Sequence, residues 1–372
     1  MKKIISIMLT VLLVMQFGSH RVAKAEEQAE NSAQAACVLE LNTNTVLYSK
    51  LAHKKLPMAS TTKVMTAILA IEYGDLDTVI TTADEAYGVE GSSIYLRLNE
   101  KMSLRDLIYG LMLRSGNDAA VAIAVHISGS VDEFAKLMNE KAQSLGAVNT
   151  HFVTPNGLPA AGHYTTAYDL ALICSYAMKN ATFREIVGTR YHNATTGDVA
   201  RTMMNKNKLL NDYEGALGIK TGYTKEAGKC LTFSAKRDGM TVVGVVLNCP
   251  NMFEDSMNLM NYCFENYELY NIVHAGTVVI RTFIPGADKP AVLVTAQDIC
   301  VPVKKSDGIK LTTKIECGEL KAPIKKGAKA GRLYIYADAS LPIAGSELVL
   351  QDDVIPYGFA HYWKLVIERF AA

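Results

Sequence analysis

The stretch Leu231–Leu247, LTFSAKRDGMTVVGVVL, reads as two strands, Leu231–Lys236 and Thr241–Leu247, joined by the turn Arg237-Asp238-Gly239-Met240. An Asp-Gly pair between two apolar runs is a strong short-range hairpin signal, because a tight hairpin turn needs positive φ at both central residues. A second hairpin signal lies far upstream, where Cys37–Leu41 and Thr45–Ser49 flank Asn42-Thr43-Asn44. Between the two the pattern is helical. Thr61–Tyr73, Leu104–Leu113, Asn117–Ile127, Val131–Leu145 and Thr166–Met178 are rich in Ala, Leu and Met, with acidic or hydroxyl residues at their starts. Strands at both ends with helices between predict an α+β fold: an antiparallel sheet flanked by helices, with an inserted helical subdomain.

The residues around this framework carry the chemistry. Ser60-Thr61-Thr62-Lys63 opens the first helical run, Ser115-Gly116-Asn117 precedes the third, and Lys220-Thr221-Gly222 stands just before the main hairpin. At a helix start, Ser60 and Lys63 share a face, three residues apart. A serine hydroxyl is a poor nucleophile until a base removes its proton. A lysine can be that base only when neutral, a state favoured by burial and by a nearby cation such as Lys220. The Ser115 hydroxyl is placed to relay a proton to a leaving amine, and the Asn117 amide to hold a substrate carbonyl. Lys220 and Thr221 on an edge strand suit a substrate carboxylate, and Gly222 allows a peptide to lie close to the backbone. Backbone N–H groups of Ser60 and Tyr223 are candidates for an oxyanion hole. S-x-x-K occurs once in the chain and S-x-N twice, the other being Ser256-Met257-Asn258, beyond Lys220-Thr221-Gly222 and without fitting context. The specificity lies in the set and its order.

With 372 residues and 49% hydrophobic content, the chain has material for more than one domain, and a net charge of +1 gives no sign of a nucleic-acid partner. Lys2 and Lys3 precede an apolar run, Ile4–Phe17, and Ala23-Lys24-Ala25 gives a small-x-small cleavage site, so residues 1–25 read as a cleaved export signal. The run is short of the roughly 20 residues of a membrane span. From about 275 to 350 short β-rich runs (Thr277–Thr282, Ala291–Thr295, Arg332–Tyr336), broken by Pro and Gly, predict a small C-terminal β-sandwich. The tail, 355–372, carries Phe359, Tyr362, Trp363, Val366, Ile367 and Phe370 on one helical face, which suits a membrane-surface helix or one docked on its own domain. Seven cysteines, odd in number and without a C-x-x-C, form neither a disulfide framework nor a zinc motif. No metal or cofactor is called for.

At the three motifs the sequence resembles the penicillin-recognising serine acyltransferases, and more narrowly the D-alanyl-D-alanine carboxypeptidases of the low-molecular-weight penicillin-binding class (peptidase family S11). The narrower match rests on Met58–Thr66 (MASTTKVMT), the EGSSIYL and LRSGNDAA segments of 90–120, TPNGL and HYTTAYDLAL within 154–172, and GIKTGYTKEAGKCL over 218–231. It implies a β-lactamase/transpeptidase-like fold over 26–270, with Ser60 as acyl-ester nucleophile, Lys63 as base, Ser115 as proton shuttle and Lys220 as substrate-binding cation. The implied substrate is a peptidoglycan stem peptide ending in D-Ala-D-Ala, with β-lactams as inhibitors and the outer face of the cytoplasmic membrane as the partner of the tail. The chain departs from relatives that carry an arginine after the last core strand, where it reads Asn251-Met252-Phe253-Glu254-Asp255.

Two other readings use the same motifs. A class A β-lactamase needs a deacylating glutamate between the second and third motifs, usually with an asparagine four residues later. Glu133, Glu140, Glu185 and Glu214 are followed there by Leu137, Ser144, Thr189 and Gly218. A non-catalytic penicillin or cell-wall-peptide receptor needs a signalling segment, and no second apolar run of 18 or more residues exists. An endopeptidase acting on cross-links is chemically close and is not separated by sequence.

Overall fold

The computed structural model describes residues 29–195, 199–306, 310–337 and 342–370, with the short strands Ile5–Ile7 and Leu13–Val14. The export signal expected at 1–25 otherwise lies outside the described residues; these two strands run antiparallel along Lys310–Cys317. The chain divides into two compact units, Val22–Asn266 and Tyr267–Ala372 with Met1–Arg21.

The larger unit is built on a five-stranded antiparallel sheet. Its strands are β1 (Ala35–Glu40), β2 (Val46–Lys50), β3 (Ala216–Thr224), β4 (Gly228–Arg237) and β5 (Met240–Leu247), in the order β2-β1-β5-β4-β3. The two hairpins read from sequence are β1–β2 and β4–β5, and the second turns on Asp238 (φ 47) and Gly239 (φ 81). β5 closes against β1, so the sheet joins the two ends of the unit, and β3 is an edge strand.

Every residue of β1 and of β5 is buried, because helices cover both faces of the sheet. Cys37 and Leu39 face the core shared with the inserted helices. The longer helices between β2 and β3 are α1 (Lys63–Tyr73), α2 (Leu104–Tyr109), α3 (Asn117–Ser128), α4 (Val131–Ser144), α5 (Ala167–Lys179) and α6 (Ala181–Gly188), followed by the single turn Leu209–Asp212. α7 (Met252–Asn266) packs on β4 and β5. Hydroxyl caps start three of them: Ser103, Ser130 and Thr166 accept the N–H of Asp106, Glu133 and Asp169.

Two boundaries and two further elements differ from the sequence expectation. The first helix begins at Lys63 rather than Thr61, because Ala59–Thr62 is a 3-10 turn. The Leu104–Leu113 run is α-helical only to Tyr109 and continues as a π-turn, Gly110–Arg114. α6 and the hairpin Tyr191–Ala194/Arg201–Met204 were not read from sequence; Asn180, which caps Phe183, was the local signal for α6.

The smaller unit is the expected sandwich. Five strands run in the order Lys310–Cys317, Lys329–Ala337, Ala344–Leu350, Ala291–Thr295, Val278–Thr282, and Tyr267–Val273 pairs with Ile299–Lys304 as a second sheet. Leu293, Val301, Ile335 and Leu348 close its own core. The terminal helix α8 spans Phe359–Phe370. Among the described residues no helix is long and apolar enough to cross a membrane.

Candidate active site

Segments distant in sequence meet at the amine of Lys63. The first is the corner ahead of α1. Ala59 has φ 49 and turns the chain into the 3-10 turn that presents Ser60. Hydroxyls hold the corner: Thr61 Oγ1 donates to the Met58 carbonyl at 2.5 Å and Thr62 Oγ1 to the Ala59 carbonyl at 2.8 Å. His163 braces it from outside. Its Nδ1 accepts the Val153 N–H at 3.0 Å, so the proton sits on Nε2 and is donated to Thr62 Oγ1 at 2.9 Å. Burial, and then His151, pushes the His163 pKa down to about 4, which keeps the ring neutral and this tautomer in place. Gly157 (φ 82) lies against the same corner, where a Cβ would stand 1.9 Å from the Ala59 carbonyl oxygen.

Lys63 is wholly buried, and its Nζ has three neighbours. They are Ser60 Oγ at 2.9 Å, Asn117 Oδ1 at 2.7 Å and the Asn156 carbonyl at 2.5 Å. Two of the three can only accept. A neutral amine has two N–H donors and one lone pair, so donation to Asn117 and Asn156 leaves the lone pair facing the serine hydroxyl. Burial, then the charge of Lys220, pushes Lys63 well below the ordinary lysine range, against the opposing pull of Asp118. The electrostatics thus favour the neutral amine, and the geometry accommodates it.

Asn117 opens α3 and is itself fixed: its N–H donates to the Ser92 carbonyl at 2.7 Å and its Nδ2 to the Glu90 carbonyl at 2.6 Å. Asp118 fastens the same loop, accepting from Ser93 Oγ at 2.6 Å and from the N–H groups of Ile94 and Leu96. Ser115, buried two residues before Asn117, follows the π-turn with φ 64. Such turns recur at functional sites because they re-aim a helix end.

The edge strand β3 supplies the third wall. Lys220 is buried and Nζ donates to the Thr221 carbonyl at 2.9 Å; Thr221 is half-buried and Tyr223 exposed. A Cβ on Gly222 would lie 3.0 Å from the Ser60 N and 3.1 Å from the Thr61 N, so glycine lets the strand approach the backbone of Ser60 itself. Burial, then Lys206, lowers the Lys220 pKa to about 7.

Direct contacts thus unite Ser60, Lys63 and Asn117, with Gly222 against them. Lys220, Thr221 and Tyr223 follow from the strand, and Ser115 from its place beside Asn117. Sequence reasoning missed Asn156, His163, Asp118 and Lys206 as parts of the site. Asn156 acts through a backbone carbonyl, which leaves no side-chain signature, and His163 acts across 101 residues on Thr62. Among the described residues no cluster of three or more His, Cys, Asp or Glu side chains is placed to hold a metal ion.

Comparisons with known proteins agree with this geometry. The D-alanyl-D-alanine carboxypeptidase family (peptidase S11) matches residues 22–251, and the penicillin-binding protein 5 C-terminal domain matches 267–355. The chain is 32% identical to the D-alanyl-D-alanine carboxypeptidase DacF of Bacillus subtilis, over 98% of this chain and 97% of that one. It is 41% identical to the D-alanyl-D-alanine carboxypeptidase of Streptomyces sp. strain K15, over 60% of this chain and 84% of that one. The crystal structure of penicillin binding protein 5 from Haemophilus influenzae superposes with a TM-score of 0.69 at 28% identity, covering 88% of this chain and 98% of that one. Motifs, fold and relatives converge: the chain belongs to the D-alanyl-D-alanine carboxypeptidase family of serine peptidases, S11.

Proposed function

We propose that this enzyme removes the terminal D-Ala from peptidoglycan pentapeptide stems through an acyl-enzyme on Ser60. The observation that carries the reading is the buried Lys63 amine, 2.9 Å from Ser60 Oγ and held by the Asn117 Oδ1 and Asn156 carbonyl oxygens; in its neutral form two N–H groups serve those oxygens and the lone pair is left for the Ser60 hydroxyl. Lys63 takes the Ser60 proton as Oγ attacks the carbonyl of the penultimate D-Ala. The N–H groups of Ser60 and Tyr223 receive the oxyanion. Ser115 passes a proton to the departing amine, and Asn117 holds the carbonyl of the acyl side chain. Lys220 and Thr221 grip the terminal carboxylate, with Gly222 giving the peptide backbone room beside the strand. Water then cleaves the ester, with Lys63 again as base. A β-lactam acylates the same serine and stays.

The test combines fluorescent penicillin labelling with D-Ala release from a diacyl-L-Lys-D-Ala-D-Ala tripeptide. Wild type is expected to be labelled and to release D-Ala, and Ser60→Ala to do neither. Labelling without release would favour a receptor, and rapid turnover of penicillin a β-lactamase.

We also propose that the protein is exported through its 1–25 segment, and that the catalytic region 26–270 and the sandwich 275–350 are held at the membrane surface by the tail, 355–372. The apolar side of α8 supports this reading: Phe359, Tyr362, Trp363, Val366, Ile367 and Phe370 are all exposed, which favours a surface helix over one docked on its own domain. Truncation after Tyr357 should abolish liposome flotation; unchanged binding would sink the anchor.

A further inference from the structure

We infer that a cleft beside the nucleophile is the subsite for the upstream part of the stem peptide, with Glu226 receiving a free side-chain ammonium on the residue before the two D-alanines. The inference rests on the carboxypeptidase reading of Ser60. The cleft has a volume of about 510 Å³, and Lys55, Pro57, His163, Tyr164 and Glu226 are among the residues that line it. Three of its lining residues are linked to the neighbourhood of Ser60 through the chain or a hydrogen bond. Pro57 stands three residues before Ser60, His163 in its wall is bonded to Thr62, and Glu226 lies three residues past Tyr223 in the turn that follows β3.

The direction of the substrate follows from the strand. With the terminal carboxylate at Lys220 and Thr221, an extended peptide running antiparallel to β3 advances about 3.3 Å per residue. Its third residue from the end then lies alongside Tyr223 and Thr224, two to three residues before Glu226 of the cleft lining. Glu226 is exposed, with no hydrogen bond or ion pair to any described residue. Lys55 lies over the Tyr164 ring at 4.6 Å from its centroid and donates to its hydroxyl at 3.4 Å, and no ion pair joins it to Glu226. Two opposite charges thus face one cleft without neutralising each other, which suits a ligand carrying both. A stem peptide does: the third residue from its end is a diamino acid, and the preceding glutamate, linked through its side chain, leaves its α-carboxylate free. Glu226 is placed for the amine and Lys55 for the carboxylate.

The experiment compares Nα-acetyl-L-Lys-D-Ala-D-Ala with the Nα,Nε-diacetyl tripeptide at low salt. Wild type is expected to favour the free amine in kcat/KM by about threefold, the scale of a solvent-exposed charge pair, with the preference fading as salt is raised. Glu226→Gln should equalise the two substrates. Glu226→Lys should reverse the order, favouring an Nε-succinyl tripeptide over the free amine, which mere damage to the turn does not produce. No preference in wild type, or one that survives in Glu226→Gln, would overturn the subsite. Failure of wild type to hydrolyse the diacetyl tripeptide would instead overturn the carboxypeptidase reading on which it rests.

Discussion

Two buried lysines share this site, and their surroundings separate their tasks. Burial pushes Lys63 well below the ordinary lysine range, which suits the base of the proposed mechanism, and lowers Lys220 to about 7, where it still carries part of its charge at neutrality and suits the proposed carboxylate-binding cation. Unfolded, the Lys220 amine holds its proton up to the ordinary 10.5; folded, it gives it up near pH 7. The native state therefore binds fewer protons between those values, and stability rises with pH across that window. Binding of a carboxylate-ended peptide runs the other way, since the free enzyme loses the cation as pH passes 7. KM for a D-Ala-D-Ala tripeptide is expected to climb between pH 7 and 9 in steady-state assays, and to stay flat over that range in Lys220→Arg, whose guanidinium does not titrate there. A flat wild-type profile would refute the assignment.

Among the elements, the start of α3 does most to organise the site. The Asp118 carboxylate accepts from Ser93 Oγ and from the N–H groups of Ile94, Leu96 and Ala119, pinning 93–96 beside the Asn117 that orients Lys63. Asp118→Asn keeps the shape but trades an acceptor oxygen for a donor facing these N–H groups. It is expected to cost about 1–3 kcal/mol, a fall in Tm of roughly 2–10 °C by calorimetry. The motif Ser115-Gly116-Asn117 was legible in the sequence, and so were both sheet hairpins and the capped helix starts, because each is decided by neighbours within a few residues. The π-turn before Ser115, the left-handed Ala59 and the hairpin Tyr191–Ala194/Arg201–Met204 were not. They are set by contacts across the chain, such as the Arg201 guanidinium on Glu100 and on the Ile94 and Tyr95 carbonyls, and no local pattern announces those.

Across the whole molecule, two units each close a core of their own, and the thiols follow that burial. None of the seven cysteines is in a disulfide, and five are buried. Burial raises Cys37, Cys174 and Cys249 to about 12 and Cys230 to about 11, and pushes Cys263 up as well. Iodoacetamide at pH 8 is expected to leave these five unmodified in the native protein, with adducts only at Cys300 and Cys317, and to reach all seven once the chain is unfolded; intact mass spectrometry reads the count. The edge position of β3 has a consequence of another kind. A sheet edge left open for a peptide is also open to any other extended chain, including a second copy of this one. On the proposed binding mode, substrate or inhibitor occupies that edge, and the empty enzyme is the form exposed to strand addition and aggregation.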